Sequence, residues 1–375
     1  MNLFEVYPLF PIEPVKAKGS YVYDKEGNEY LDFYGGHAVM SVGHTHPYYV
    51  SKISEQLNNI AFYSNSIINP LQIKLASKLG ELSGYNDFSL FLCNSGAEAV
   101  ENALKMASFH TGNSRVLAFE KGFHGRTGGA LKVTDGPKMK SEFNGDINTT
   151  YLPLNDLDAV SEALADGDVA GIIIEGIQGV AGIIEPTNEF LQGLRVLANK
   201  YEAVLILDEV QSGFGRTGDF FAHQHAGIKA DIVTMAKGMG NGYPIGGIIL
   251  SPDFKASFGL LGTTYGGNHL ACVASLAVLE IIEQEQLLDN ARKWGDYLIE
   301  HFSKIEKIEK TTGRGLMLGL VIDGDGKALR SSLLAKHKIF TGGCGNPNIL
   351  RLLPPMNIGK KECDLLIEAI KTELN

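Results

Sequence analysis

Two charged side chains stand at the ends of two apolar runs. The stretch from Ala203 to Leu207 is continuously apolar and rich in branched side chains, and it stops at Asp208-Glu209. The stretch from Asp231 to Ala236 stops at Lys237, and Gly238 follows. Runs of this kind suit strands buried on both faces of a parallel sheet. Open α/β sheets take their ligands outside the carboxyl ends of the strands. An acid and a lysine are therefore offered to one crevice. A lysine that can lose its proton condenses with an aldehyde. An acid held against a pyridine nitrogen keeps that nitrogen protonated, so the ring can take up electrons. A lysine with such a partner is what pyridoxal phosphate requires. Read alone, the same residues are more simply a capped strand and a solvated turn lysine. A nucleotide hydrolase with Asp208 on magnesium would need a GxxxxGK[ST] loop, and the chain has none.

Further candidates follow the same logic. Ser95 and Glu98 have the spacing of a capping box at the start of an amphipathic helix. With Gly96 and Ala97 behind the cap, the first N–H groups of that helix are open to an anion. Phe123 offers a flat ring for stacking. Arg126 offers a planar fork that matches a carboxylate. Glu175 ends the run from Val169 to Gly176, on the ligand side of the sheet. Arg351 lies in the apolar segment NILRLLPPMNI, where an edge-strand salt bridge is the structural alternative. Thr263 and Thr264 precede a helix and read equally as caps.

The motifs DEVQSGFGRTG (208–218) and KGMGNGYPIGG (237–247), with others in order from Tyr21 to Ile358, resemble the class-III, ornithine-type aminotransferases of pyridoxal phosphate fold type I. Within that family the chain is most similar to the acetylornithine and succinylornithine aminotransferase group. The resemblance implies an α/β fold, with a large domain built on a mostly parallel sheet flanked by helices and a smaller α+β domain. It implies that Lys237 carries the cofactor and shuttles the proton, that Asp208 holds the ring nitrogen, and that Gln211 bonds the ring's phenolic oxygen. By the same resemblance Ser95, Gly96 and Ala97 cradle the phosphate, Phe123 stacks on the ring, and Thr264 reaches the phosphate held by a partner subunit. Arg126 and Thr263 face the substrate. Glu175 pairs with Arg351 and swings away for the second substrate.

The reaction implied is ping-pong transfer of the δ-amino group of N2-acetyl-L-ornithine to 2-oxoglutarate, releasing glutamate, as in arginine synthesis. N2-succinylornithine is the near alternative, followed by ornithine, 4-aminobutyrate and acyl-lysine. A cofactor-binding protein without turnover is the remote one. The chain departs from the family pattern at His37, where a small apolar residue is usual, and in EGIQGVAGII (175–184). There Gly176 stands for proline, and Val180-Ala181 for an acid and a glycine.

The elements that must position these residues are legible in outline. A hairpin is expected across Asp24–Asn28, helices over 47–60 and 70–83, and strands over 88–93, 115–120, 169–176 and 244–250. Gly35-Gly36 permits unusual backbone angles. Residues 151–168 read as a loop and helix, and 285–375 as alternating helix and strand. VIDGDGKAL (321–329) lacks the closing glutamate of a calcium loop and reads as a turn. The boundaries expected are an N-terminal arm and hairpin (1–45) joining the small domain, a large cofactor-binding domain (46–270), and a small C-terminal domain (271–375).

Composition narrows the class. The 375 residues are 44% hydrophobic and 20% charged, with a formal net charge of −10. That balance suits a globular protein and argues against nucleic acid as a partner. No apolar run approaches the ~20 residues of a membrane span. The N-terminus has no basic region of a signal peptide. Cys93, Cys272, Cys344 and Cys363 form no metal spacing, so no metal site is expected, and free thiols in a cytoplasmic homodimer are.

Overall fold

The computed structural model describes residues 1–145 and 148–374. The proline-containing first stretch has no regular structure and is largely exposed. β1 (Pro14–Lys18), β2 (Tyr21–Asp24) and β3 (Glu29–Asp32) then form an antiparallel meander. The expected hairpin turn is closed by Asp24, whose carboxylate accepts from the backbone N–H of Glu26 and Asn28.

Next comes a single turn, α1 (Gly35–Ala38), wound left-handed: Gly35, Gly36, His37 and Ala38 have φ of 55°, 55°, 68° and 65°. The glycines adopt this freely. His37 and Ala38 do so at a cost of roughly 1–2 kcal/mol each. Strain of this kind persists where the surroundings over-determine it. Here Ala38 is buried and its N–H returns to the carbonyl of Tyr34 at 3.0 Å.

Two helices follow where the apolar periodicity places them, α2 (Pro47–Asn59) and α3 (Pro70–Ser83), each with proline in its first turn. β4 (Ser89–Cys93) leads into α4 (Gly96–Thr111), and β5 (Arg115–Phe119) into the short α5 (Gly128–Lys132). β6 (Thr149–Leu152) is a strand where the sequence suggests a loop; α6 (Leu157–Leu164) follows it. β7 (Val169–Glu175), α7 (Asn188–Tyr201), β8 (Val204–Asp208), β9 (Ile232–Met235) and β10 (Gly246–Leu250) complete the large sheet.

That sheet has the order β4-β10-β9-β8-β7-β5-β6. β6, β5, β7, β8 and β9 run parallel, and β10 is antiparallel to both its neighbours. Every residue of β7, β8, β9 and β10 is buried. Alternate residues serve opposite cores: Leu205 and Leu207 pack in one, Val204 and Ile206 in the other. The register sets Glu175 beside Asp208, and Asp208 beside Thr234, so the ends of three neighbouring strands open together.

The chain continues through α8 (His269–Gln284), α9 (Leu287–Phe302), β11 (Ile308–Arg314), β12 (Met317–Ile322), α10 (Gly326–His337), β13 (Ile339–Phe340), β14 (Ile349–Leu352) and α11 (Lys360–Leu374). β11, β12 and β14 make an antiparallel sheet. β13 pairs in parallel with β3, so both ends of the chain share one sheet. The calcium-like run is a helix cap: Asp325 accepts from the N–H groups of Lys327 and Ala328.

One buried arginine ties distant segments together. Arg216, in the motif after β8, donates to the carbonyls of Leu316 at 3.2 Å and Pro354 at 2.7 Å, and more weakly to Met40 at 3.4 Å. Burial pushes its guanidinium down to about 10.

Candidate active site

Asp208 and Glu209 end the same strand but serve different neighbours. Asp208 accepts from the N–H of Val210 at 3.0 Å and meets Nδ1 of His124 at 2.7 Å. Glu209 turns the other way. Its oxygens take Oγ of Ser212, the N–H groups of Ala222 and His223, and Nδ1 of His223 at 2.7 Å. His223 in turn meets the hydroxyl of Tyr85 at 2.7 Å. All of this is buried, so Glu209 fixes the turn while Asp208 faces a cavity.

Lys237 reaches the same cavity from the end of β9, with a left-handed φ of 44°. Burial pushes its ammonium below the ordinary value. Asp208 and Glu175 oppose that shift, and Arg351 and Arg216 add to it. The balance favours a neutral amine more than water would, which a nucleophilic or proton-carrying lysine needs.

The cavity holds about 160 Å³. Gly96, Ala97, Phe123, Gln211 and Glu175 line it with Asp208 and Lys237. A larger cavity of about 530 Å³ opens elsewhere, beside Arg195, Asp231 and Ser251. Its main charges are already paired, Arg195 to Asp231 at 2.9 Å, and no lysine lines it. The smaller cavity carries the reactive groups.

Its lining fits pyridoxal phosphate on three counts. Oε1 of Gln211 is buried without a hydrogen-bond donor among the described residues, an acceptor suited to a phenolic hydroxyl. The acid fixed between His124 and Val210 suits a pyridinium nitrogen. Gly96 and Ala97 open α4, where backbone N–H groups have no helical acceptor. Glycine is needed at 96 for a second reason: a Cβ there would lie 2.7 Å from Cγ1 of Val210.

Not every expected residue reaches this cavity. Ser95 Oγ is occupied as the cap of α4, accepting from Glu98 N at 3.2 Å. The capping box closes one residue early, because Glu98 takes the N–H of Asn94 at 2.9 Å. The guanidinium of Arg126 sits 6.0 Å over the ring of Phe123. Thr263 Oγ1 accepts from Gly266 N at 3.1 Å in a turn, while Thr264 is exposed on the surface.

The expected ion pair between Glu175 and Arg351 does not form. Among the described residues neither makes a salt bridge. Glu175 accepts from the N–H of Phe123 at 2.9 Å and of Gly179 at 3.0 Å. Arg351 donates to the carbonyls of Gly343 at 2.8 Å and Gly179 at 2.9 Å. Gly179 thus stands between them, its N–H on the acid and its carbonyl on the arginine. Buried backbone groups need partners as much as charges do, and here they take both side chains. Burial raises the Glu175 carboxyl to about 7; the Asp208 charge adds to this, and His124 with the two backbone donors opposes it. A carboxyl held that high is a weak mask for an arginine.

His124 escaped the sequence reading. It lies between Phe123 and Arg126 in KGFHGRTGG, and a lone histidine in a loop has no periodicity to mark it. His37 is brought near the site: its carbonyl accepts from Nε2 of Gln211 at 3.2 Å, and its ring packs 4.6 Å from that of Tyr34. Among the described residues no cluster of histidine, cysteine and acid side chains could hold a metal, and no helix is long and apolar enough to cross a membrane.

The sequence matches the family described as aminotransferase class-III over residues 5–374. It is 38% identical to the acetylornithine aminotransferase of Archaeoglobus fulgidus, over 98% of this chain and 96% of that one. It is 41% identical to that of Methanocaldococcus jannaschii, over 98% and 94%. Among solved structures, ornithine aminotransferase from Toxoplasma gondii superposes with a TM-score of 0.93 at 26% identity, over 99% of this chain and 92% of that one. A second structure of that enzyme, with a TM-score of 0.92, 27% identity and the same coverages, has pyridoxal phosphate at partial occupancy in its active site. Acetylornithine aminotransferase from Elizabethkingia anophelis superposes with a TM-score of 0.85 at 27% identity, over 99% and 95%. The match spans nearly the whole chain, the sheet order delivers a half-buried lysine and a fixed aspartate to one cavity, and the chain belongs to the class-III aminotransferases.

Proposed function

We propose that the protein transfers the δ-amino group of an N2-acylated ornithine to 2-oxoglutarate, using pyridoxal phosphate bound at Lys237. N2-acetyl-L-ornithine is the first donor, because the relatives that match along the whole chain are named for it. The observation that carries the chemistry is the half-buried Lys237, with its proton affinity lowered, opening on the same cavity as Asp208.

Pyridoxal phosphate supplies an aldehyde for the amine and a protonated ring that accepts the electron pair of a broken C–H bond. The rest falls to the chain. Lys237 takes the proton from the amine-bearing carbon and returns it. Asp208, held by His124 and Val210, keeps a proton on the ring nitrogen. Oε1 of Gln211 accepts from the ring hydroxyl, and Phe123 covers the ring. The N-terminus of α4, with Ser95, Gly96 and Ala97, receives the phosphate. Arg126 and Arg351 receive carboxylates, with Thr263 beside the substrate. Glu175 sets the position of Arg351 through Gly179.

Thr264, exposed and away from its own cavity, is proposed to complete the phosphate site of a second copy. Exposed apolar side chains nearby, Phe62 and Tyr265 with ring centroids 5.5 Å apart, support a homodimer across this face. The division into an arm and hairpin (1–45), a large domain (46–270) and a small domain (271–375) is proposed on the pairing of β3 with β13. Free cysteines support a cytoplasmic setting.

The test is the visible band of the cofactor-loaded protein on addition of single amines. Bleaching by N-acetylornithine, restored by 2-oxoglutarate and absent in Lys237→Ala, is expected. A coloured protein that responds to no ω-amine would make it a cofactor binder without turnover. A protein that takes up no cofactor would remove the mechanism.

A further inference from the structure

The amine of Lys237 makes no hydrogen bond and no salt bridge within 4.0 Å among the described residues. Its direction is therefore set by its own backbone. That backbone is left-handed, with φ of 44°, at the start of the tight turn Lys237–Met239 after β9. A lysine stays in this conformation only where its surroundings hold it there.

The holding groups come from a segment distant in sequence. Ser41, 2% exposed, donates from its hydroxyl to the carbonyl of Gly238 at 2.8 Å. The N–H groups of Ser41 and Val42 donate to Oδ1 of Asn241 at 2.8 and 3.1 Å. Nδ2 of Asn241 donates in return to the carbonyl of Gly43 at 3.0 Å. Asn241 is buried and itself left-handed, with φ of 46°, which asparagine tolerates better than most residues. The hydroxyl of Tyr49 donates to the carbonyl of Gly240 at 2.7 Å. Ser41 is fixed from its other side as well, because its carbonyl accepts from the N–H of Met356 at 2.8 Å. The turn after β9 is thus clasped by a rigid neighbour, and the Ser41 hydroxyl bonds it one residue from Lys237.

We propose that Ser41 is a positioning residue for Lys237: its hydroxyl holds the turn so that the released amine stays aimed at the carbon whose proton it must take. The inference rests on the reading of Lys237 as the proton carrier. While the amine is bonded to the cofactor, the covalent link restrains it. Once the donor has displaced it, the backbone alone does. Misplacement by about 1 Å costs on the order of 100-fold in such a step, so the hydroxyl acts on proton transfer and not on donor binding.

The experiment compares wild type with Ser41→Ala and Ser41→Thr. With the cofactor loaded, stopped flow follows bleaching by N-acetyl-L-ornithine carrying hydrogen or deuterium on Cδ. Ser41→Ala is expected to lower the limiting rate by about tenfold or more, to leave the half-saturating donor concentration within about twofold, and to raise the deuterium isotope effect. Ser41→Thr, which keeps the hydroxyl, recovers most of the rate. Without the cofactor, hydrogen exchange read by mass spectrometry covers Met239 and Gly240, whose N–H groups close the turn at 3.0 Å on the carbonyls of Ala236 and Lys237. Their exchange is expected to quicken in Ser41→Ala while that of β7 and β8 is unchanged. An unchanged rate and isotope effect in Ser41→Ala overturns the inference and leaves the reading of Lys237 standing. So does exchange that quickens across the whole sheet, which marks a merely structural serine. Wild-type enzyme that no ω-amine bleaches overturns both.

Discussion

Nδ1 of His124 lies 2.7 Å from Oδ2 of Asp208, and both side chains are buried. The other oxygen of Asp208 is held by the N–H of Val210. The acid that the proposed cofactor site needs is thus fixed in position and orientation before any ligand arrives. Replacing His124 by leucine removes a hydrogen bond to a charged group, a loss of roughly 1.5–3 kcal/mol. The expected outcome is a first half-reaction slowed by about 10–100-fold, with weaker retention of the cofactor on dialysis. His124→Gln, whose amide can still donate, recovers part of the rate. Stopped-flow measurement of the bleaching rate decides; an unchanged rate in His124→Leu would show that Val210 alone suffices.

Gly179 touches three site residues at once. Its N–H holds Glu175 and its carbonyl holds Arg351. A Cβ on it would lie 1.7 Å from Oε1 of Gln211. That oxygen is the end of a flexible side chain, so the fold can yield where the site cannot. Gly179→Ala is therefore expected to melt within a few degrees of the parent, consistent with a change well under ~1 kcal/mol in the fold. Its rate with any donor falls about tenfold or more, because the displaced amide loses its hydrogen bond. A large drop in melting temperature with normal specific activity would contradict this account.

The strand ends were legible because their signal is long-range in sequence but simple in kind. β8 is an apolar run that stops at a charge, β9 is one broken only by Thr234, and parallel sheets bury such runs on both faces. The cap at Ser95 was readable from spacing. β6 was not, since TTYL is a short, half-polar edge strand with little apolar pattern. The left-handed turn was half readable: Gly35-Gly36 announces it, but nothing in the sequence says that His37 and Ala38 continue it. The Glu175–Arg351 pair failed for a different reason. Sequence shows the two charges and not the backbone groups of Phe123, Gly179 and Gly343 that compete for them at 2.8–3.0 Å.

The raised carboxyl of Glu175 makes stability depend on pH in a defined direction. Its ordinary value is 4.5 and its folded value is about 7. Below 4.5 both states are protonated and the group is neutral in its effect. Between 4.5 and about 7 the unfolded chain releases the proton while the folded one keeps it. Stability is lost as pH rises through that window, and the whole penalty is present above it. Glu175→Gln has no proton to lose. The melting temperature of the cofactor-free variant, relative to the parent, is therefore expected to be higher at pH 8 than at pH 5. A difference that is the same at both pH values, or that runs the other way, would place the carboxyl in the ordinary range.

Arg216 supplies the last test, because it joins segments that no single element connects. Its guanidinium is buried with no carboxylate partner within 4.0 Å among the described residues, and its hydrogen bonds go to Leu316, Pro354 and Met40. Burying an unpaired charge is costly, and the three carbonyls offset that cost only while all are in place. Arg216→Met removes the charge but leaves those carbonyls buried without donors, at roughly 1–3 kcal/mol for each one left unsatisfied. The melting temperature is expected to fall by about 5–10 °C. Arg216→Lys offers fewer donors from a different point and recovers only part of the loss. Arg216 also lies close enough to Lys237 to lower its proton affinity, so Arg216→Met, which removes the charge, should shift the ammonium titration upward, and Arg216→Lys, which keeps it, should not. Thermal melts and the pH dependence of the half-reaction separate the two effects: a variant that melts normally yet shifts the pH profile would make Arg216 an electrostatic partner of Lys237 rather than a clip between segments.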